Sequence, residues 1–506
     1  MTYSPKLSSA FNDTVNRSRH IAPQSGMCSL CTEECDGTCE IALSAVLGAR
    51  TVYPTNTGAN QIASEKDYPL DYSHFNINGR VFGAIGAKLN YEEANIWNVK
   101  LDRQYGKFNP VKLTMPIILP ALIKMNWEDY FGGAAMAGVS CVIGEDARNK
   151  DPELVMANGK VVQFPALKKM LDAFRKYDRG FGQIVLQCNC EDDMMGVPEY
   201  AITVQGATAI ELKFGQGAKG TQPVNRVKNR QEALQKQALG SLVLPDPMDP
   251  AIIKADEDGI CPNFYTYSRL PLWDEDYLVP RIAQLREMGA KNIYLKMAGY
   301  DRADLKHVLM IGSQAEVDMI TFDGAGGGSG YSPCKMMNEW GLPTVVLEEV
   351  VMKLVQEMKD KGLYVPAITI TAGFSSEDQV FKALAYGNGD VMAVGIGRAA
   401  MTAAMMGKNI GQQINEGKVP KNLQKYGSSI EEIYSDLPDL RALYGKAADG
   451  FSPGAIGVFS YLNKLAFGLR HFAALNRKFD ISYLDQTDLI PLTRDAKDLI
   501  KGKWFD

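Results

Sequence analysis

The sequence predicts an α/β protein built on a (β/α)8 TIM barrel, with a small Cys-rich region before it and a helical extension after it. Three observations carry this. From about Met115 short apolar runs alternate eight times with amphipathic stretches, the pattern of parallel βαβ units. Three of the later runs end in glycine-rich turns about one βα unit apart, as expected of phosphate-cradling loops at one end of a barrel. Both flanks differ in character from this rhythm.

The candidate strands are Met115–Leu119, Val139–Ile143, Gln183–Cys188, Ala207–Phe214, Asn292–Met297, Asp318–Phe322, Ala367–Thr371 and Asp390–Val394. Helical spacing marks Trp127–Ala137, Pro165–Tyr177, Tyr277–Met288, Leu347–Lys361 and Ser376–Gly387, with Val350, Leu354 and Met358 on one face. One connection, Gly215 to Asp276, is too long for a plain βα unit. It reads as a Gln-rich helix, Val227–Ala238, then a Pro- and Asp-rich loop, the sort of insertion that builds the substrate side of a site. Three regions follow: 1–105 with the cysteines, 106–410 as the barrel, and 411–506 as a helical extension with Ile430–Tyr444 and Ala455–Leu475 the clearest helices.

At 506 residues the chain can bury a large core. A net charge of −5 gives no support to nucleic-acid or anionic-membrane binding. No apolar run reaches the ~20 residues of a membrane span, and Met1 to His20 lacks the apolar stretch of a secretory signal. A cytoplasmic protein is the expectation.

Four of the nine cysteines fall within twelve residues: Cys28, Cys31, Cys35 and Cys39. If the stretch is helical, the last three share a face and Cys28 enters from the preceding turn. Four thiolates so placed suit a [4Fe–4S] cluster or, alternatively, a tetrahedral zinc. The histidines, His20, His74, His307 and His471, neither end a strand nor show metal spacing, so a His-based mechanism lacks support.

The sharpest loop is Ile320 to Pro333, where five glycines fall within seven residues and Gly324, Gly327, Gly328, Ser329 and Gly330 are the candidate cradle. Gly373, and Gly395 and Gly397 with Arg398, supply its downstream counterparts, Arg398 facing a phosphate or else solvent on a first helical turn. Lys213 and Lys296 stand inside apolar strands, where an ammonium costs free energy unless an anion meets it. Lys296, at a strand's C-terminal end, suits the negative charge of a reduced flavin; a structural salt bridge is the alternative. Lys213 is read as an anion binder, or else as a partner of Glu211 or a surface tip. Gln187, ending its strand, can hydrogen-bond a flavin edge or be a satisfied polar group. Gln216 and Lys219, on a glycine turn, suit a small carboxylate.

These residues resemble a known family, the FMN-binding synthase domain of glutamate synthase. Glu211-Leu212-Lys213-Phe214-Gly215-Gln216-Gly217-Ala218-Lys219 is similar to its E-I-K-x-x-Q-G-A-K loop. Ile320 to Pro333 resembles its I-T-I-S-G-H-D-G-G-T-G-A-S-P without a gap, and Gly196 to Tyr200 its G-V-T-x-E-Y stretch. The likeness spans roughly 110–490. It implies FMN and the reduction of an iminium from ammonia and 2-oxoglutarate to glutamate. On this resemblance Lys296, Lys219, Lys213 and Gln216 serve catalysis, and the Gly327–Gly330 and Gly395–Gly397 loops take the FMN phosphate.

Two departures alter that expectation. The family's His-Asp pair is Ala325-Gly326 here, and its cluster cysteines are missing from Ala399–Gln412, leaving Cys28–Cys39 as a replacement. The resemblance then implies a ferredoxin or reductase subunit as electron donor and a glutaminase or other ammonia-supplying subunit. The alternatives are an amine-transferring synthase such as one making N-methylglutamate, a dehydrogenase of a 2-hydroxy or 2-amino acid, or a non-catalytic electron-transfer subunit.

Overall fold

The computed structural model describes residues 68–122, 126–215, 225–325, 327 and 340–500. Cys28, Cys31, Cys35, Cys39, Gln216, Lys219, Gly328, Ser329 and Gly330 lie outside these residues.

Eight parallel strands close into a barrel in chain order: β1 Ile117–Leu122, β2 Cys141–Ile143, β3 Ile184–Cys188, β4 Ala209–Lys213, β5 Asn292–Ala298, β6 Met319–Asp323, β7 Ala367–Thr371 and β8 Val391–Gly395. Each matches one predicted run. β1 starts later than expected because Pro116 has no N–H to give the ladder, so regular pairing begins after it.

The alternating helices are α1 Trp127–Ala137, α2 Pro165–Arg175, α3 Val197–Thr203, α4 Glu275–Glu287, α5 Arg302–Gln314, α6 Thr344–Asp360, α7 Glu377–Tyr386 and α8 Arg398–Asn415, with α9 Pro453–Leu475 beyond them. β6 ends at a tight turn that Gly324 makes possible: a Cβ there would lie 2.2 Å from Thr344 Oγ1, at the start of α6. Helix α9 packs on α8 through glycines. A Cβ on Gly457 would come 2.6 Å from the Ala403 carbonyl, and one on Gly407 would come 2.6 Å from the Pro453 carbonyl.

Side chains inside the barrel are stacked in layers, because residues two apart on a strand share a face. The lowest layer is apolar and includes Ile118, Val142, Val185, Ala209, Tyr294 and Met319. An antiparallel pair, Arg103–Tyr105 with Val111–Leu113, plugs that end, burying Tyr105, Val111 and Leu113 against the layer. Two residues further along β3 to β7 the interior turns polar. Phe75–Ile77 pairs antiparallel with Leu489–Pro491, tying the two ends of the described chain together.

Two readings need correction. The insertion after β4 is not a helix and a loop. It holds a three-stranded antiparallel sheet ordered Asn225–Val227, Phe264–Tyr267, Leu242–Leu244, with helices Arg230–Ala238 and Pro250–Glu257 and its own core of Val227, Ala233, Val243 and Phe264. Its first helix begins at Arg230 because Asn229 caps it, accepting from the Glu232 N–H at 2.8 Å. Ile430–Tyr444 is also not one helix. It breaks into Ile430–Ile433 and Leu437–Tyr444, and Pro438 sits in the first turn of the second piece, where its missing N–H costs nothing.

Candidate active site

Above the apolar layer, Gln187 (β3), Glu211 (β4), Lys296 (β5), Thr321 (β6) and Thr369 (β7) form a polar belt, all buried. Lys213, Asp323 and Thr371 sit one layer higher at the C-terminal mouth, also buried. Strand register sets these neighbours: Lys296 pairs with Lys213 on one side and Thr321 on the other.

The charges alternate in sign. Lys296 Nζ lies 3.4 Å from Asp323 Oδ2, and Thr371 donates its hydroxyl to Asp323. Lys213 Nζ lies 2.8 Å from Glu145 Oε1, just past β2. Gln187 donates to Glu211, and accepts from the Glu145 N–H at 3.4 Å. Burial pushes the Glu211 carboxyl up, opposed chiefly by Lys296. Burial pulls the Lys213 ammonium down, but Glu145, with Asp323 and Glu211, outweighs it and the net shift is upward. Arg398, on the first turn of α8, is lowered by burial against the pull of Asp323.

The glycines divide into two kinds. At Gly395 a Cβ would meet Thr371 Cγ2 at 2.5 Å, and at Gly327 it would meet Asp323 Cβ at 2.9 Å, so these allow the mouth to pack. Gly373, at φ +85°, has no described atom within 4 Å of its Cβ position, and Gly397 has only Pro120 at 3.5 Å. Among the described residues, Gly373 thus faces open space and Gly397 is only lightly covered. The structure thus gathers Gln187, Lys213, Lys296, Gly324, Gly327, Gly373, Gly395, Gly397 and Arg398 at one end of the barrel.

Sequence reasoning missed Glu145 and Asp323 and gave Glu211 no role of its own. Asp323 had a signal, as the charged end of an apolar strand two residues after Thr321. Glu145 had none, since its partner Lys213 is 68 residues away. A second acidic group lies on the short helix after β3: Glu191 binds Arg269 at 2.9 Å and Asp193 binds Arg281 at 2.8 Å, while Asp192 contacts Arg148.

Residues 267–408 match the conserved region in glutamate synthase. The matched segment runs from the end of the insertion into α8. It carries Lys296, Asp323, Thr371 and Arg398, while Gln187, Glu211 and Lys213 precede it. No curated protein matches the chain.

Solved structures that resemble it include a flavocytochrome b2 variant with sulfite bound, at 12% identity over 85% of this chain and 78% of that one, TM-score 0.43. Others are the monotopic membrane protein (S)-mandelate dehydrogenase, 13% identical over 83% and 89% with TM-score 0.44, and a soluble mutant of the enzyme from Pseudomonas putida, 14% over 83% and 88% with TM-score 0.41. Among the described residues no helix is long and apolar enough to cross a membrane.

Proposed function

We propose that this chain is an FMN-dependent oxidoreductase of the glutamate synthase kind that reductively aminates 2-oxoglutarate, or a related 2-oxo acid, with ammonia. The observation that carries the reading is Lys296. It is a buried ammonium at the C-terminal end of a barrel strand, within the segment matching glutamate synthase, with polar partners on the neighbouring strands.

The residues present fit a flavin. Among the described residues Thr321 Oγ1 is buried in the belt without a hydrogen-bond partner, and Gly373 has open space at its Cβ position while Gly397 caps an 18-residue helix, a favourable place for a phosphate. Arg398 would neutralise that phosphate, and Gln187 would hydrogen-bond the ring edge. When bound, FMN supplies the hydride that reduces an iminium carbon. Lys296 holds negative charge in a site shielded from water, where its field is strong. Glu145 keeps Lys213 charged at the rim, where it can orient a carboxylate. Gln216 and Lys219 are proposed to share that task.

The four cysteines are proposed to hold a [4Fe–4S] cluster, with zinc as the alternative. Electrons would come from a ferredoxin or reductase subunit and ammonia from a glutaminase subunit, in the cytoplasm. A second reading keeps the flavin and changes the substrate to another amine or a 2-hydroxy acid. It is favoured by Ala325, buried and apolar where the resembled family carries histidine.

The test is to assay acid-released flavin, iron and zinc on anaerobically purified protein, then mix the reduced protein with 2-oxoglutarate and ammonium. Flavin reoxidation with glutamate formed bears out the proposal. Bound flavin that neither substrate reoxidises moves the weight to the second reading, and folded, reconstituted protein without flavin sinks both.

A further inference from the structure

Glu211, in the belt just below the mouth, has no ion pair of its own to a cation among the described residues. It is 1% exposed and accepts from Gln187. The charged groups acting on it are, in order, Lys296, Asp323 and Lys213. Both lysines are already engaged: Lys296 faces Asp323 at 3.4 Å, and Lys213 faces Glu145 at 2.8 Å. Among the described residues, then, two ammoniums and three carboxylates share this space, with Arg398 adding its field at Asp323. Below Glu211, Tyr294 and Tyr105 stay neutral, since burial pushes both hydroxyls up, Tyr105 to about 12.

This balance makes Glu211 sensitive to charge arriving nearby. Burial favours its neutral form, and Lys296 is the main force favouring the ionised one. A further negative charge beside Lys296 draws on the same ammonium and weakens that restraint.

Resting on the flavin reading above, we infer that Glu211 takes up a proton when the flavin is reduced, so that two electrons enter this barrel with two protons instead of one. The donor that reduces the protein supplies both electrons. The flavin binds one proton and keeps one negative charge. A second proton passes from solvent to the Glu211 carboxylate, forming an O–H bond and a neutral acid beside Lys296. Net charge inside the barrel then falls by nothing, although a charged cofactor state has been created. Glu211 is in this sense a positioning residue for charge.

The test uses the flavin-loaded protein and its Glu211→Gln variant, reduced with dithionite, with the midpoint potential followed from about pH 5 to about pH 9. Two protons per two electrons give a slope of about 59 mV per pH unit, and one proton gives about 30 mV. The wild type is expected to show a steep stretch that the variant lacks. A shallow slope throughout in the wild type overturns the inference, and so does a steep stretch surviving in the variant. If Glu211→Gln fails to hold flavin, infrared difference spectra of wild type and Glu211→Asp decide. A protonated-carboxyl band appearing on reduction and shifted by Asp supports Glu211, and its absence or indifference to Asp overturns it. Protein that binds no flavin is recognised from its absorption spectrum before any potential is measured; that result sinks the functional reading itself and takes this inference with it.

Discussion

Lys296 and Asp323 face each other across adjacent strands, Nζ to Oδ2 at 3.4 Å, both buried at the C-terminal mouth of the barrel. Their pairing places a cation where a flavin's negative charge would need one. Replacing Lys296→Ala is expected to leave a folded barrel that reduces bound flavin on the order of 10²-fold more slowly, the scale of losing one preorganised electrostatic partner. Rapid-mixing reduction of the reconstituted variant measures this. Unchanged kinetics would remove Lys296 from the mechanism.

Lys478 is 2% exposed and bridges Asp488 at 2.5 Å and Asp485 at 3.0 Å, next to the strand pair that joins the chain's two flanks. Lys478→Met leaves the fully buried Asp488 with the more distant Arg80, at 3.7 Å, as its cation among the described residues, and a loss of about 3 kcal/mol is expected in urea unfolding. Adding Asp488→Leu should recover a large part of it, because the cost lies in the poorly compensated charge.

Glu348 on α6 is fully buried and accepts from the Tyr72 hydroxyl, with no ion pair to a cation among the described residues. Burial raises its carboxyl well above the usual range, helped by Glu349 and opposed by the Tyr72 hydrogen bond. The folded state therefore binds a proton more tightly than the unfolded chain. Its contribution to stability is complete below about pH 4 and is lost as pH rises toward the folded value. Urea unfolding of wild type and Glu348→Gln, compared at several pH values from mildly acidic upward, should show the variant gaining on the order of 1 kcal/mol per pH unit over the wild type. Parallel curves would mean Glu348 does not titrate there.

Gly457 lies within α9, where an alanine ought to help by helix propensity, up to about 1 kcal/mol. Its missing Cβ instead admits the Ala403 carbonyl of α8 at 2.6 Å. Packing is expected to win, with Gly457→Ala lowering stability by about 1–3 kcal/mol in thermal or urea unfolding. A rise in stability would show that the two helices can separate at little cost.

The barrel was legible because its signal is local. Most strands are short apolar runs ended by glycine or a charge, and Ala367–Thr371 kept its predicted bounds. The insertion was not, since Asn225–Val227 and Leu242–Leu244 are three residues each, too short to show alternation, and their pairing partner Phe264–Tyr267 lies farther along the chain. In the site, Lys213 and Lys296 stood out as charges in apolar strands. What they pair with did not, because it depends on register: Lys213 meets Glu145 and not the nearby Glu211, whose side chain turns to Gln187.

The hairpin formed by Arg103–Tyr105 and Val111–Leu113 seals the lower end of the barrel, with Leu113 wholly inaccessible to solvent. Among the described residues, this closure leaves the polar belt facing out at the C-terminal mouth. Under the proposed chemistry, the oxo acid would arrive on the side by which the amino acid leaves, so each turnover has a vacating step. Steady-state rates should accordingly show product competing with substrate for a single form of the protein.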